Sequence, residues 1–218
     1  MNNKEQVLPA ENDKRKEIVK TAYQLFMLHG IDTVTLEDIA KESNVPPITV
    51  YRLFSDKKTL VIQCGILFWQ ESHDLHDPTQ DANYQYYSGY EQLEALISSF
   101  IPALMKFPQH MQFLQRFDTY MAQCQVSAEE LKDYDAAIGG WNENCASAFE
   151  KAKQDHTIRE GLDFKPIYYT MAHMLLAFAQ KLACTGNLLG SDDIIPQEQQ
   201  IKLAVDIMLT YIRSESSK

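Results

Sequence analysis

The sequence predicts an all-α protein, with a three-helix N-terminal head and a larger C-terminal helical body. Apolar residues recur at three- and four-residue steps, which is the spacing of helices that bury one face. Strand-like alternation and a glycine-rich phosphate loop are missing from the sequence after Leu60, and 218 residues suffice for a head and a body. We expect residues 1–13 to form a disordered arm, 14–60 the head and 61–218 the body.

The first predicted helix covers residues 14–29 and carries one apolar side: Ile18, Val19, Ala22, Leu25 and Phe26. Gly30 suits its C-terminal end because glycine accepts a left-handed backbone. Thr35 begins the second helix, since its hydroxyl can accept from a free backbone N–H, and Asp38 supplies the reciprocal acid of a capping box. Asn44 then fits a sharp turn, because asparagine also tolerates the left-handed conformation.

The third helix is predicted from Pro47 to Phe54, with proline at the first helical position, where its missing N–H costs nothing. At about 100° per residue, the apolar face holds Val50, Leu53 and Phe54. The opposite face is mostly polar: Ile48, Arg52 and Ser55, with Thr49 and Tyr51 on the flanks. Two short helices joined by about four residues are the pattern of a helix-turn-helix, whose second helix enters the DNA major groove.

The outer face of the third helix offers groups that can bind DNA. Arg52 suits a bidentate bond to guanine, and Ile48 suits a thymine methyl. Three flanking groups suit phosphate oxygens: Thr49, Tyr51 and Lys57. Asp56 is expected to cap the next helix, whose start at Lys57-Lys58 also suits a phosphate. The alternative for this lysine pair is that both are only solvated charges.

The order and spacing of thirteen head residues are specific: Ala22, Leu25, Phe26, Gly30, Thr35, Ile39, Ala40, Val45, Thr49, Tyr51, Phe54, Lys57 and Leu60. The run from Ile18 to Leu60 resembles the DNA-binding domain of the TetR family of bacterial transcriptional regulators. The resemblance implies a homodimeric, all-helical repressor with a ligand-binding C-terminal body. It also implies DNA contacts from Thr35, Thr49, Tyr51 and Lys57, with Ile48 and Arg52 on the reading face. Pro47, at the start of the same helix, completes the predicted DNA-binding set.

Three positions depart from the family pattern. Asn44 replaces the usual turn glycine, Pro46 replaces a small hydroxyl residue at the cap, and Ile48 stands where glycine is often found. The fold tolerates these changes, whereas the operator sequence cannot be taken from a relative.

The charge distribution favours site-specific DNA binding over general nucleic-acid binding. The net charge is −10, and an acidic surface repels phosphate. Residues 1–58 hold nine Lys and Arg against nine Asp and Glu, so the head is neutral, while residues 59–218 hold 11 against 21. All the excess acid therefore lies in the body.

The four cysteines are scattered, without a CxxC or Cys/His cluster: Cys64, Cys124, Cys145 and Cys184. Each falls in an apolar helical stripe, so we expect small buried hydrophobes, with a redox sensor as the alternative. The N-terminus is polar, and no stretch approaches the ~20 apolar residues of a membrane span. We therefore expect a cytoplasmic protein with no membrane partner.

Six further helices are predicted after the third. The first three run from Lys57 to about His73, from Tyr90 to Phe107 with an interruption at Pro102, and from Pro108 to near Gln125. The last three run from Ala128 to about Asp155 with an interruption at Gly139-Gly140, from Pro166 onward, and through Ile201 to Ile212. Residues 77–88 and 157–165 are expected to be loops.

The last two helices carry apolar residues on a second side, such as Met174, Leu176 and Ala177, which indicates a dimer seam. Burial within one monomer is the alternative.

A small-molecule pocket is expected between the body helices. Its candidate lining residues are mostly aromatic: Trp69, Phe100, Phe113, Phe117, Tyr120, Trp141, Tyr169 and His173. Asp118 would neutralise a cationic ligand or remain a solvated charge, so no ligand class is assigned.

His73 and His76 offer two metal-ligating groups, but a set of four is not visible. We predict neither a metal nor a cofactor.

These features together predict a transcriptional regulator that a small-molecule effector releases from a palindromic operator. Control by a protein partner, without any small ligand, is the alternative that the sequence leaves open. An all-helical enzyme is disfavoured, because the sequence shows no Ser/His/Asp set, paired carboxylates or Walker loop.

Overall fold

The structure is a computed structural model that describes residues 9–74, 77–106, 108–186, 188, 190 and 194–215. Side chains are described for these residues except 9–10, 73–74, 103–106 and 140–141. Across this part of the chain the structure is all-α, as predicted, with one isolated β-bridge between Ile158 and Arg213. The α-helices are α1 (Pro9–His29), α2 (Leu36–Glu42), α3 (Pro47–Phe54), α4 (Lys57–Asp74), α5 (Gly89–Lys106), α6 (Pro108–Gln123), α7 (Lys132–Gln154), α8 (Phe164–Thr185) and α9 (Gln197–Ile212). Two 3₁₀ turns, Pro78–Gln80 and Tyr84–Tyr86, lie in the segment expected to be a loop.

Helix α1 begins five residues before the predicted start at Lys14. The expectation of disorder is therefore wrong for residues 9–13, and the rest of the predicted arm lies outside the described residues. Pro9 at the first position and Glu11 in the first turn both favour a helix start here, because proline needs no partner for an N–H and the carboxylate complements the helix dipole.

Four other boundaries or interruptions differ from the prediction. Helix α7 starts at Lys132 because residues 128–131 form a turn, in which Ser127 and Glu130 exchange hydrogen bonds between side chains and backbone amides. Helix α8 starts two residues early, at Phe164. The predicted interruptions are wrong as well: α5 continues through Pro102, and α7 continues through Gly139-Gly140. A Cβ added at Gly139 would meet no atom of the described residues within 4 Å, so none of them approaches it closely.

The chain divides into two compact units at positions other than the predicted boundary at residue 60. The N-terminal unit contains the residues up to Trp69 together with Phe113–Tyr134, and the C-terminal unit contains Gln70–Gln112 together with the residues from Asp135 onward. The division follows packing. Gly65 of α4 lies against the rings of Phe117 and Tyr134, so closely that an added Cβ would stand 2.7 Å from Cε2 of Phe117.

In the C-terminal unit, α9 packs against α5 and α8 and buries one apolar stripe: Ile201, Val205, Met208, Leu209 and Ile212. Residues after α7 hold the N-terminus of α5. The Asp155 carboxylate accepts from the Gly89 amide at 2.7 Å, and the Thr157 hydroxyl accepts from the Tyr90 amide at 3.1 Å. Gly89 is needed because a Cβ there would stand 2.0 Å from the backbone nitrogen of Ala152.

The cysteines divide into two classes. Cys64 and Cys145 are buried as predicted, and burial raises the pKa of the Cys145 thiol to about 12. The expectation is wrong for Cys124 and Cys184, which are exposed, because the first follows the end of α6 and the second lies in the last turn of α8.

Among the described helices, none has both the length and the apolar character that crossing a membrane requires.

Candidate nucleic-acid interface

Helix α2 begins with the predicted capping box. The Asp38 amide donates to the Thr35 hydroxyl at 3.1 Å, and the Thr35 amide donates to the Asp38 carboxylate at 2.9 Å. Both side chains are exposed, and the hydroxyl and the amide of Thr35, which both donate to the Asp38 carboxylate, lower the pKa of this carboxyl. The capping box fixes where α2 starts, because two otherwise unpaired backbone donors are satisfied there.

The turn from α2 into α3 also follows the sequence. Asn44 adopts the left-handed conformation with φ of +52°, and α3 begins at Pro47. Pro46 occupies the cap position and contributes no side-chain hydrogen bond. The start and direction of α3 therefore depend on backbone restriction by two prolines and not on a capping hydroxyl.

Helix α3 divides into a buried and an exposed face, as predicted. Val50 and Phe54 are buried in the head. On the other side, Ile48 is 72% exposed, Tyr51 is 42% exposed, and the Arg52 side chain is 66% exposed. Thr49 is half-buried, and Pro47 is exposed. An exposed guanidinium, a phenol and an aliphatic group therefore share the outer surface of one short helix.

Two contacts absent from the sequence prediction secure the C-terminal end of α3. Arg15 of α1 donates to the Leu53 carbonyl at 2.6 Å, and its guanidinium lies 4.6 Å from the centre of the Phe54 ring. Ser55 adopts φ of +60° and ψ of −52°, and the Asp56 amide donates to the Phe54 carbonyl at 2.5 Å. This is a γ-turn, a strained conformation for serine, and it reverses the chain between α3 and α4.

Helix α4 starts at two lysines that already have partners. The Asp56 carboxylate accepts from the Thr59 amide at 2.7 Å, which confirms the predicted cap. The Lys57 ammonium donates to the Asp32 carbonyl at 3.4 Å, and burial lowers its pKa. Lys58 forms an ion pair with Glu130 and thereby lowers the pKa of that carboxyl to about 2. Lys57 thus keeps donors for another acceptor, whereas Lys58 is neutralised within its own unit.

The two polar groups of the outer surface are each bound by a carboxylate. The Tyr51 hydroxyl donates to Oε1 of Glu37 at 2.7 Å, and Nη2 of Arg52 lies 3.2 Å from Oε1 of Glu11. The tyrosine hydrogen bond lowers the pKa of Glu37, so that side chain is a carboxylate at neutral pH. Sequence reasoning missed both acids. Glu11 lay in the segment expected to be disordered, and no local spacing marks Glu37 as a partner of Tyr51.

The predicted ligand-binding residues are distributed over both units. Trp69, Phe113, Phe117, Asp118 and Tyr120 belong to the N-terminal unit, while Phe100, Tyr169 and His173 belong to the C-terminal unit. The Trp141 side chain and those of His73 and His76 lie outside the described residues. Among the described side chains, no cluster of three or more histidines, cysteines, aspartates or glutamates could hold a metal ion.

Several of these aromatic residues form packed core in the N-terminal unit. Phe113 meets Tyr23 edge to face at 4.8 Å between ring centres, and Phe117 stacks on Tyr134 at 4.7 Å. In the C-terminal unit, Tyr169 and His173 lie exposed on α8. An open depression of about 320 Å³ lies between α1, α2 and their connection, and none of the predicted ligand-binding residues lines it.

Comparison with known proteins agrees with this architecture. Residues 18–64 match the family of bacterial regulatory proteins named the tetR family. The fold is similar to that of a regulator assigned to the TetR family from Rhodococcus sp., with 17% identity, a TM-score of 0.67 and coverage of 90% of this chain and 99% of the other. No curated protein matches the sequence of the chain.

Two further solved structures share the fold. The fatty acid degradation regulator FadR from Bacillus halodurans is 15% identical, with a TM-score of 0.64 over 90% of this chain and 94% of its own. A protein from Saccharomonospora viridis, assigned as a transcriptional regulator and solved with choline, is 16% identical, with a TM-score of 0.64 over 94% of this chain and all of its own. Residues 18–64 thus match the tetR family, and the fold of the chain is similar to that of solved structures of transcriptional regulators.

Proposed function

We propose that this chain is a transcriptional regulator of the tetR family, a homodimeric repressor that binds a palindromic operator through the outer face of α3 and is released by a small molecule. The division of α3 supports this proposal most directly. Val50 and Phe54 hold the helix in the head, while Ile48, Tyr51 and Arg52 remain accessible to a duplex. Arginine can bond guanine bidentately, and an aliphatic side chain can contact a thymine methyl.

In this proposal Thr35, Pro47, Thr49, Tyr51 and Lys57 contact the DNA backbone around the reading residues. The Lys57 ammonium stands at the start of α4, where the positive end of the helix dipole adds to its attraction for a phosphate. We assign DNA binding to residues 14–60, and ligand binding and dimerisation to residues 61–218.

Exposed apolar residues on the last two helices support dimerisation. Leu203, Ile207 and Tyr211 recur at four-residue steps on α9 and are half or more exposed, as is Met174 on α8. Contiguous apolar surface of this kind marks protein interfaces. Pairing of α8 and α9 with the same helices of a second copy would place two heads in two-fold symmetry, which matches a palindrome.

The effector is proposed to bind in the body and to change the separation of the two heads, which lowers operator affinity. The structure from Saccharomonospora viridis holds choline, which supports small-molecule binding by this fold without assigning a ligand class here. The residues that line this site stay a prediction from the sequence, with Asp118 as the acid that would neutralise a cationic ligand. The protein would act in the cytoplasm, where its operator lies, and no catalytic step is part of the proposal.

A length-specific DNA titration tests the proposal. An operator is first selected from a random duplex pool by the purified protein, and its affinity is measured by fluorescence anisotropy. Inserting five base pairs between the half-sites turns one of them through about half a helical turn, so we expect at least a ~10-fold loss. The same insertion outside the palindrome is the control. Selection of no palindrome, or equal affinity after both insertions, would contradict the proposal.

Three substitutions separate phosphate contacts from base reading. Tyr51→Ala and Lys57→Ala should weaken binding to all sequences, and Lys57→Ala should also reduce the salt dependence by about one ion per head. Arg52→Ala should cost roughly 1–3 kcal/mol at one base position and change the preferred base there. Anisotropy titrations on operator, single-base variants and random duplex distinguish these outcomes. Equal losses on operator and random DNA for Arg52→Ala would refute base reading by this residue.

A further inference from the structure

Tyr51 and Arg52, two of the polar side chains proposed to contact DNA from α3, are both held by acids of the same chain. Tyr51 donates to Glu37 of α2 at 2.7 Å, and Arg52 pairs with Glu11 of α1 at 3.2 Å. Both acids contact the outer face of α3, whereas buried Val50 and Phe54 hold the helix in the head. These contacts therefore bear on function, in a role that rests on the proposed binding of DNA by α3.

The Tyr51 contact uses the only proton that a phenol can donate. A phosphate oxygen accepts hydrogen bonds and donates none, so Tyr51 can serve Glu37 or a phosphate, but not both at once. A phosphate that approached the hydroxyl would also meet the negative charge of Glu37, because the pKa of this carboxyl is lowered. DNA binding by Tyr51 thus requires that the bond to Glu37 break.

The Arg52 contact has the same consequence for base reading. Bidentate recognition of guanine uses two parallel N–H groups of the guanidinium fork. Nη2 lies against Glu11, and the ion pair directs the guanidinium toward the start of α1. Because the Arg52 side chain is otherwise largely exposed, exchange of Glu11 for a base edge needs only rotation of the side chain, not unfolding of the head.

We propose that Glu11 and Glu37 are intramolecular competitors of DNA: each carboxylate occupies a DNA-contacting side chain in the free protein and must be displaced when a duplex binds. The head carries as many acids as bases over residues 1–58, so two carboxylates at the reading face reduce the attraction to any duplex appreciably. Affinity of a single head is thereby kept low.

Charge-neutral replacements test the competition. Glu11→Gln and Glu37→Gln should each tighten binding of the full-length protein to its selected operator by about 2–5-fold, the effect of an exposed ion pair or charge-assisted hydrogen bond. The gain should shrink as salt rises from about 50 to about 300 mM, because exposed charges are screened. Glu17→Gln on α1 and Glu42→Gln on α2 remove the same charge from exposed positions of the same helices and serve as controls.

Partner deletions separate competition from a general effect of charge. The gain from Glu11→Gln should vanish in an Arg52→Ala background, and the gain from Glu37→Gln should vanish in a Tyr51→Phe background. Gains that persist in these backgrounds, or that the two control variants reproduce, would overturn the proposal. Weaker binding by Glu37→Gln would also overturn it, since Glu37 would then position Tyr51 for DNA.

Failure of this proposal is distinguishable from failure of the proposed function. If the wild-type protein binds its operator and the two glutamine variants bind with unchanged affinity, competition is refuted while DNA binding stands. If the wild-type protein binds no duplex and neither variant does, the proposed function itself fails. Circular dichroism of each variant confirms that the helical content is retained before binding is compared.

Discussion

Replacing Phe54 by alanine is expected to lower the free energy of unfolding by about 3–5 kcal/mol and to abolish operator binding. The ring is 1% exposed in the head core, at the end of the helix that carries the reading residues. It also lies beneath the Arg15 guanidinium, which bonds the neighbouring Leu53 carbonyl. Truncation leaves a cavity and removes the surface on which Arg15 rests, so α3 loses two attachments together.

Urea denaturation followed by circular dichroism at one fixed protein concentration measures this loss. Ile48→Ala is the matched control, because it shortens a side chain of the same helix that is exposed and should change stability by less than about 0.5 kcal/mol. Similar unfolding midpoints for the two variants would show that Phe54 does not hold α3 in place.

The double variant Leu203→Asp/Ile207→Asp is expected to convert the protein to a monomer and to weaken operator binding by at least about 100-fold. Both side chains are exposed on α9 and lie one turn apart on one face. A two-fold interface would bring four added carboxylates together, and burying unpaired like charges is strongly unfavourable. With the dimer lost, each head binds one half-site without the gain from a tethered neighbour.

Sedimentation velocity gives the oligomeric state, and anisotropy on the selected operator gives the binding loss. Leu28→Asp makes the same kind of change at an exposed leucine of α1, outside the proposed interface, and should leave the protein dimeric. A monomeric wild-type protein, or a double variant that stays dimeric, would refute the assignment of α8 and α9 to the seam.

Competition by Glu11 and Glu37 would strengthen the dependence of binding on dimerisation. A head whose reading residues must first leave their carboxylates binds a half-site weakly, so two correctly spaced half-sites are needed for useful affinity. An effector that changes the spacing of the heads then has a large effect on occupancy with only small differential binding energy in the body.

Local chemistry made the head predictable. The capping box at Thr35, the left-handed Asn44 and the start of α3 at Pro47 all occur as expected. Each depends on residues within four positions along the chain, whose preferences are nearly independent of the rest of the protein. The two faces of α3 follow from helical periodicity for the same reason.

Other features could not be read from local preference. Proline and glycine usually interrupt helices, at a local cost of about 1–3 kcal/mol each, yet α5 continues through Pro102 and α7 through Gly139-Gly140. The γ-turn at Ser55 is equally hidden, because serine rarely adopts positive φ unless the helices on both sides enforce it.

The sequence by itself determined that the chain is helical, where the head's helices start, and which side of α3 faces outward. The tertiary structure alone decided which groups bind Tyr51 and Arg52, because Glu37 and Glu11 are distant from them in sequence. It also decided that Phe113 and Phe117 belong to packed core. Contacts between separate helices depend on how their faces pack, and periodicity along one helix carries no information about its neighbour.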